Sequence, residues 1–176
     1  MRVLTLVGLM GAGKSSVGTL LARQLNWRFA DLDTVIESRK GLRVAALFDN
    51  FGESKFREIE GAILRELLTG SDLVLATGGG APCGPGAMDA ILASGAAVWL
   101  HGELMQLAER ACAQGGRPLL EGLSPQEACG VLREQLRVRE AAYSRAGLRV
   151  DVDGRNPEAL ATSIHRTLFG EEAGRV

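Results

Sequence analysis

The sequence predicts an α/β fold in which helices cover both faces of a five-stranded parallel sheet, giving three layers. Five short apolar runs alternate along the chain with longer stretches in which apolar residues recur at helical spacing. The apolar runs are continuous and do not alternate with polar residues, which is typical of parallel strands buried on both faces. A glycine-rich loop between the first strand and the first helix is a third indication, because such loops belong to this class of fold.

The first strand, loop and helix form one unit. Residues 3–7 are a β-branched and leucine-rich run, and apolar residues recur at helical spacing between positions 17 and 25. The segment from Gly8 to Ser15 has the sequence G-L-M-G-A-G-K-S and matches the phosphate-binding pattern G-x-x-x-x-G-K-S. Main-chain N–H groups of such a loop surround phosphate oxygens, while its lysine contacts phosphate and its hydroxyl binds magnesium. The sequence therefore predicts a nucleoside triphosphate site.

The remaining elements follow in order along the chain. A second strand is predicted to pass through residues 29–30 and end at 31–33, with further strands over 73–76, 96–100 and 148–152. Helices are predicted over residues 34–39, 44–50, 53–69, 103–111, 125–146 and from 157 onward, the last two opening on proline. Because ligands collect at the carboxyl ends of parallel strands, we expect the loop, the Asp31–Asp33 segment and Gly78–Gly80 to share one edge.

Composition limits the classes of partner. A length of 176 residues suits one domain, and a net charge of −1 gives no overall field that would favour nucleic acid or an anionic membrane. No apolar run approaches the roughly 20 residues of a membrane span, and the N-terminal run is interpreted as a buried strand rather than a signal peptide. Cys83, Cys112 and Cys129 are too far apart for a zinc site or redox pair. We expect a cytoplasmic monomer with reduced thiols.

Two aspartates are candidates for the metal site. A phosphate loop alone does not distinguish kinases from GTPases and motors, and the third predicted strand ends in Thr77 and glycines rather than a carboxylate. Asp31 and Asp33, at the end of the second strand, are the best-placed substitutes. One could face magnesium and its waters and the other an acceptor hydroxyl. The alternative is that both are turn residues capping the next helix.

Two further segments offer ligand contacts. Arg57 lies off the apolar stripe of its predicted helix, near a glycine hinge, and can face the cleft. Alternatively it is a solvated partner of Glu53 or Glu60. The triplet Gly78-Gly79-Gly80 allows main-chain amides to approach a ligand closely, although a tight turn would also explain it.

Several motifs occur together in a fixed order: the loop ending in Gly13-Lys14-Ser15-Ser16, Asp31-Leu32-Asp33, Phe51-Gly52-Glu53 with Phe56-Arg57 and Glu60, Gly78-Gly79-Gly80, Arg117-Pro118-Leu119-Leu120, and Arg139 four before Tyr143. In this order and spacing the chain resembles shikimate kinases along essentially its whole length. The resemblance implies transfer of the γ-phosphoryl group of ATP to the 3-hydroxyl of shikimate, in the route to aromatic amino acids. It also implies a fold like that of nucleoside-monophosphate kinases, with a substrate-binding region at about 33–61 and a mobile lid at about 112–124.

The resemblance also implies roles for individual residues. The nucleotide would be bound through Gly11, Ala12, Gly13, Lys14, Ser15, Ser16, Arg110, Arg117 and Arg155, with Arg110 and the turn at Arg155 beside the adenine. Magnesium would be held by Ser15 and, through water, by Asp31. The acceptor would be bound by Asp33, Arg57, Gly79, Gly80 and Arg139. Catalysis would depend on Lys14, on Asp33 orienting or deprotonating the hydroxyl, and on Arg117 moving in with the lid.

Other functions remain open on the residues alone. A kinase acting on gluconate or on a nucleoside monophosphate would need similar residue types around its acceptor. A GTP-dependent switch is a different class, but the chain has no Asn-Lys-x-Asp motif for guanine. The Asp-x-x-Gly match from Asp151 to Gly154 lies late in the chain, in an unsuitable position.

Overall fold

Five strands form the sheet of this computed structural model, which describes residues 2–115 and 118–170. The strands are β1 (Val3–Val7), β2 (Arg28–Asp31), β3 (Leu73–Ala76), β4 (Gly95–His101) and β5 (Leu148–Asp151). They pair in the order β2-β3-β1-β4-β5, and every pair is parallel. The predicted five-stranded parallel sheet is confirmed. The central strand β1 leads directly into the phosphate loop, which therefore lies at the middle of the carboxyl edge.

Seven helices surround the sheet in the described part of the chain. They are α1 (Lys14–Leu25), α2 (Leu32–Lys40), α3 (Val44–Leu67), α4 (Ala87–Ser94), α5 (Leu104–Gln114), α6 (Pro125–Tyr143) and α7 (Pro157–Phe169). Local sequence explains where several of them begin. Ser124 and Glu127 form a capping box at the start of α6, and the Asn156 side chain caps α7. Short 3₁₀ turns span Ala81–Cys83 and Pro118–Leu120.

Two hydrophobic clusters lie on opposite faces of the sheet. Successive side chains of a strand point to opposite faces, and accordingly Val74 belongs to one cluster while Leu73 and Leu75 belong to the other. The first cluster includes buried residues of α1, α5, α6 and α7, and the second includes those of α2, α3 and α4. The predicted three-layer arrangement is thus confirmed, with helices burying apolar surface on both sides.

The structure differs from the sequence-based expectation in two places. The second strand was predicted to end at residues 31–33. In the structure β2 ends at Asp31, and Asp33 lies in the first turn of α2. Helix α4 was not predicted, because residues 87–94 are almost uniformly apolar and run without a loop into β4. The predicted break near the glycine hinge is confirmed, since Gly52 interrupts α3 with φ 76° and ψ 167°.

No helix within residues 2–115 and 118–170 combines the length and hydrophobicity that crossing a membrane would require.

Candidate active site

The backbone of the phosphate loop takes conformations that favour glycine. Gly8, Gly11 and Gly13 have φ of 140°, 78° and 81°, a region that side chains disfavour. A Cβ on Gly8 would collide with the Leu100 carbonyl, so β4 itself requires this glycine. Within the described residues no side chain caps α1, which leaves its first N–H groups directed at the loop. The arrangement is that of an anion site at a helix N-terminus.

Lys14 lies across this loop. Its Nζ donates to the carbonyl oxygens of Gly8 at 2.9 Å and Leu9 at 2.8 Å. These bonds keep the ammonium over the concave side of the loop, where a nucleotide's terminal phosphates would lie. The predicted position of Lys14 next to the phosphates is consistent with this geometry.

Ser15 and Asp31 form the candidate metal pair. The Ser15 hydroxyl donates to Oδ2 of Asp31 at 2.6 Å, which brings the end of β2 to the start of α1. Oδ1 of Asp31 accepts from the main-chain N–H groups of Asp33 at 3.1 Å and Thr34 at 3.5 Å, capping α2. Asp31 therefore caps α2, which the sequence allowed as an alternative to metal binding. It still offers its other carboxylate oxygen beside Ser15. A hydroxyl and a carboxylate are suitable ligands for magnesium.

Asp33 lies in a crowded, negatively charged environment. Its Oδ1 is 2.8 Å from the point where a Cβ on Gly78 would stand, and Oε1 of Glu60 is 3.3 Å from the same point. Burial, followed by the neighbouring carboxylates of Asp31 and Glu60, raises the pKa of Asp33 to about 6, while Lys14 opposes the shift. A carboxylate with this pKa is ionised at neutral pH and basic enough to accept a proton from a reacting hydroxyl.

Arg57 both pairs with glutamates and faces the cleft, the two possibilities that the sequence left open. Its guanidinium pairs with Glu60 (Nη1 to Oε2, 2.7 Å) and with Glu53 (Nη2 to Oε1, 3.3 Å). The Glu60 side chain is only 4% exposed, and this burial raises its pKa against the opposing charge of Arg57. Arg57 also lies against Gly80, where a Cβ would stand 2.6 Å from Nη1. The salt bridges hold the guanidinium in place beside the glycine triplet.

Arg139 reaches the same triplet from α6. Its Nη1 donates to Oε1 of Gln135 at 2.9 Å and is 2.7 Å from where a Cβ on Gly79 would stand. Tyr143, one turn later, donates its hydroxyl to the Gly79 carbonyl oxygen at 2.5 Å. Sequence reasoning used Tyr143 only as a motif position and assigned it no site function. Its spacing from Arg139 was the available signal, because residues four apart share one helix face.

A cavity of about 770 Å³ opens between α3 and α6. Arg57, Glu60, Gly80 and Arg139 contribute to its wall. Its charged lining is balanced, with three arginines and three glutamates (Arg57, Arg65, Arg139, Glu53, Glu58 and Glu60). Its size suits a small organic acid, which Arg57 and Arg139 beside the glycine triplet could bind. Asp33 and Lys14 are not part of this wall, but Asp33 lies against Gly78, the first glycine of the triplet, while Arg139 and Arg57 lie against the next two.

The structure shows fewer contacts for the arginines that the resemblance assigns to the nucleotide. Arg110 is half-buried on α5. Arg155 is exposed, and its Nη2 donates to the Ala159 carbonyl oxygen at 3.3 Å, within the start of α7. Arg117 lies outside the described residues. Ser16 is exposed next to the paired Ser15.

Comparison with known proteins decides the family. The model of the family described as shikimate kinase matches residues 10–169. The chain belongs to the shikimate kinase family. It is 39% identical to the shikimate kinase of Moorella thermoacetica over 166 residues, which are 94% of this chain and 93% of that relative.

Solved structures of this family have the same fold. The shikimate kinase of Bacteroides thetaiotaomicron matches with a TM-score of 0.89 at 33% identity, covering 95% of this chain and 98% of that one. That of Acinetobacter baumannii, solved in complex with shikimate, matches with a TM-score of 0.89 at 32% identity, covering 98% and 95%. The resemblance noted in the sequence motifs is confirmed, as is the predicted P-loop kinase fold.

Proposed function

We propose that this chain transfers the γ-phosphoryl group of ATP to the 3-hydroxyl of shikimate, giving shikimate 3-phosphate and ADP. Its place in the shikimate kinase family confirms the predicted class of enzyme, a phosphotransferase that uses ATP as donor. The strongest structural support for the proposal is the environment of Asp33. The carboxylate of Asp33 interacts both with Lys14 of the phosphate loop and with Glu60, which lines a cavity that also carries Arg57 and Arg139. An acceptor with one carboxylate and neighbouring hydroxyls fits this arrangement, with its carboxylate at the guanidinium groups and a hydroxyl at Asp33.

The acceptor's carboxylate is assigned to the part of the cavity beside Arg57 and Arg139. Arg57 lies against Gly80 from α3, and Arg139 lies against Gly79 from α6. Guanidinium groups bind carboxylates through paired, charge-assisted hydrogen bonds, each worth about 1.5–3 kcal/mol. The amides of Gly79 and Gly80 add neutral donors at the same place. The acceptor-binding region of residues 33–61 and the lid of residues 112–124 belong to this proposal.

The acceptor's hydroxyl is assigned to Asp33. The hydroxyl oxygen forms a bond to the γ-phosphorus, the bond from that phosphorus to the bridging oxygen breaks, and ADP leaves with the electron pair. Asp33 orients the hydroxyl and accepts its proton as the new bond forms. Lys14 balances charge on the β- and γ-phosphates, and Arg117 approaches the transferring group from the lid. The protein contributes mainly position and charge, because the reaction needs no covalent intermediate.

Magnesium belongs to the proposal on the chemistry of its candidate ligands. The Ser15 hydroxyl and the Asp31 carboxylate lie 2.6 Å apart at the mouth of the phosphate loop. No group of three or more His, Cys, Asp or Glu side chains with metal-binding geometry occurs in the described parts of the chain. A magnesium ion here would therefore need phosphate oxygens and water to complete its ligands, as this ion commonly does. When bound, magnesium neutralises charge on the phosphates.

A measurement of ADP release tests the proposed acceptor. The chain is supplied with ATP, magnesium and, in turn, shikimate, quinate, gluconate and nucleoside monophosphates, and a coupled assay reports turnover. We expect turnover with shikimate to exceed that with every other acceptor. Brisk turnover with gluconate or a nucleotide, and none with shikimate, would overturn the proposal. Replacing ATP by GTP tests the switch alternative, which requires a preference for GTP.

The remaining expectations complete the proposal. We expect a monomer in the cytoplasm that binds these small molecules and neither nucleic acid nor membrane. Light scattering of the purified chain at assay concentration measures the oligomeric state, and a stable dimer would contradict the expectation.

A further inference from the structure

Tyr143 is a fully buried tyrosine whose hydroxyl faces the proposed acceptor site. We infer that Tyr143 is a positioning residue, which holds the Gly79–Gly80 peptide and Arg139 in the arrangement that receives the acceptor's carboxylate. The inference rests on the acceptor site proposed above. It goes beyond that site because Tyr143 contacts the groups that bind the acceptor rather than the acceptor itself.

The geometry of the peptide bond links Tyr143 to the acceptor. The Tyr143 hydroxyl donates to the Gly79 carbonyl oxygen at 2.5 Å. The peptide bonds of the described chain are trans, and in a planar trans peptide the carbonyl and the following N–H point in opposite directions. Fixing the Gly79 carbonyl toward α6 therefore fixes the Gly80 N–H away from α6. Among the described residues that N–H makes no hydrogen bond, so it is available to a ligand.

Arg139 depends on the same contact. A Cβ on Gly79 would stand 2.7 Å from Nη1 of Arg139 and 3.5 Å from the Tyr143 hydroxyl, so all three groups are in close contact. Gln135, one turn before Arg139 on α6, accepts from the same Nη1 at 2.9 Å. The Arg139 guanidinium thus lies between the Gln135 amide and Gly79, and the carbonyl of Gly79 accepts from Tyr143. Movement of the Gly79 peptide would open space into which the guanidinium could shift.

The tyrosine ring is itself fixed. It packs against Trp99, with ring centroids 5.9 Å apart, and no part of its side chain is exposed. Burial raises the pKa of the Tyr143 phenol well above its usual range, although Arg139 opposes the shift, so the hydroxyl remains a donor at neutral pH. A rigid ring with a protonated hydroxyl is suited to holding one carbonyl in place.

Substitution Tyr143→Phe removes the hydroxyl and keeps the ring. We expect the KM for shikimate to rise about three- to tenfold, the range for loss of one neutral hydrogen bond, with the KM for ATP unchanged. The matched control is Ile164→Val on α7, a fully buried position where a lost methyl group lowers stability without contacting the site. Equal changes in the KM for shikimate in both variants would mean that Tyr143 acts only through stability, and would overturn the inference.

A second measurement does not depend on the variant folding. The chain contains a single tyrosine, so incorporation of 3-fluorotyrosine gives one fluorine resonance. We expect saturating shikimate to shift this resonance and ADP alone to leave it in place. A fluorine resonance whose chemical shift does not change with shikimate would overturn the inference.

Variants of the two arginines separate the inference from the site on which it rests. If Arg139→Lys and Arg57→Ala raise the KM for shikimate but Tyr143→Phe does not, the acceptor site stands and the inference about Tyr143 falls. If none of the three variants changes this KM, the proposed acceptor site is itself wrong and the inference falls with it.

Discussion

Asp33→Asn should make the protein more stable and less active at neutral pH. The pKa of Asp33 is raised from 3.8 to about 6, chiefly by burial and then by Asp31 and Glu60. Between these values the folded chain binds more protons than the unfolded chain, so the free energy of unfolding falls as the pH rises. An ionised Asp33 therefore destabilises the fold at neutral pH. Asparagine has nearly the same shape and carries no charge.

The size of the effect follows from the pKa values. A shift from 3.8 to about 6 corresponds to about 3 kcal/mol between the two charge states of Asp33 at neutral pH. We expect Asp33→Asn to raise the free energy of unfolding by up to this amount near pH 7.5. Most of the gain should disappear near pH 4, where the folded wild type already carries a protonated Asp33. A change of this size would raise Tm by roughly 6–12 °C.

Urea unfolding of both proteins at about pH 7.5 and pH 4 measures the gain, and the ADP-release assay measures activity. The variant should lose about 10²–10⁴-fold in kcat because it cannot accept the hydroxyl proton. Asp49→Asn on α3 is the matched control, since it makes the same chemical change at an exposed position. A gain in stability that is equal at both pH values, or no gain near pH 7.5, would refute the account of Asp33.

Four further predictions concern catalysis. Arg57→Ala should raise the KM for shikimate about 10- to 100-fold and leave the KM for ATP nearly unchanged. The control Arg39→Ala, which breaks an exposed salt bridge between α2 and Glu66 of α3, should change neither value. Equal losses for both substrates in Arg57→Ala would contradict the assignment. Arg117→Ala should mainly lower kcat, and unchanged turnover would remove the lid function. Gly78→Ala should lower kcat/KM at least about tenfold because its Cβ would stand 2.8 Å from Asp33 Oδ1, and full activity in a folded variant would count against this crowding. Below about pH 6, kcat/KM for the wild type should fall as Asp33 is protonated, so a flat profile from about pH 5 to 8 argues against it.

The phosphate loop was predictable because its chemistry is local. The glycines of the loop, Lys14 and Ser15 lie within eight consecutive residues, and the flanking strand and helix follow from hydrophobic spacing. Their function depends on main-chain N–H groups and a helix terminus, which the local chain supplies by itself. The strand, the loop and the helix were therefore predictable from the local sequence.

Helix α4 shows where local reasoning failed. Its residues, 87–94, offer almost no polar face, since Asp89 and Ser94 are the only polar side chains among them. Without contrast between faces, hydrophobic spacing does not separate a short buried helix from a strand. The turn at Pro85-Gly86 was the remaining signal for a helix start, because Gly86 adopts φ 68° directly before the helix.

The charge balance of the acceptor site depends on contacts that no local pattern contains. On α3, Glu60 shares the buried stripe with Phe56 and Ile63, where a carboxylate is costly unless it is paired. Its partner is Arg57, at 2.7 Å, so that guanidinium is already partly neutralised before any acceptor binds. Arg139, reaching the site from α6, donates to the neutral amide of Gln135 and interacts with Glu60 more weakly than Arg57 does. The two arginines are therefore unequal: Glu60 pairs directly with Arg57, whereas no salt bridge to Arg139 occurs among the described residues.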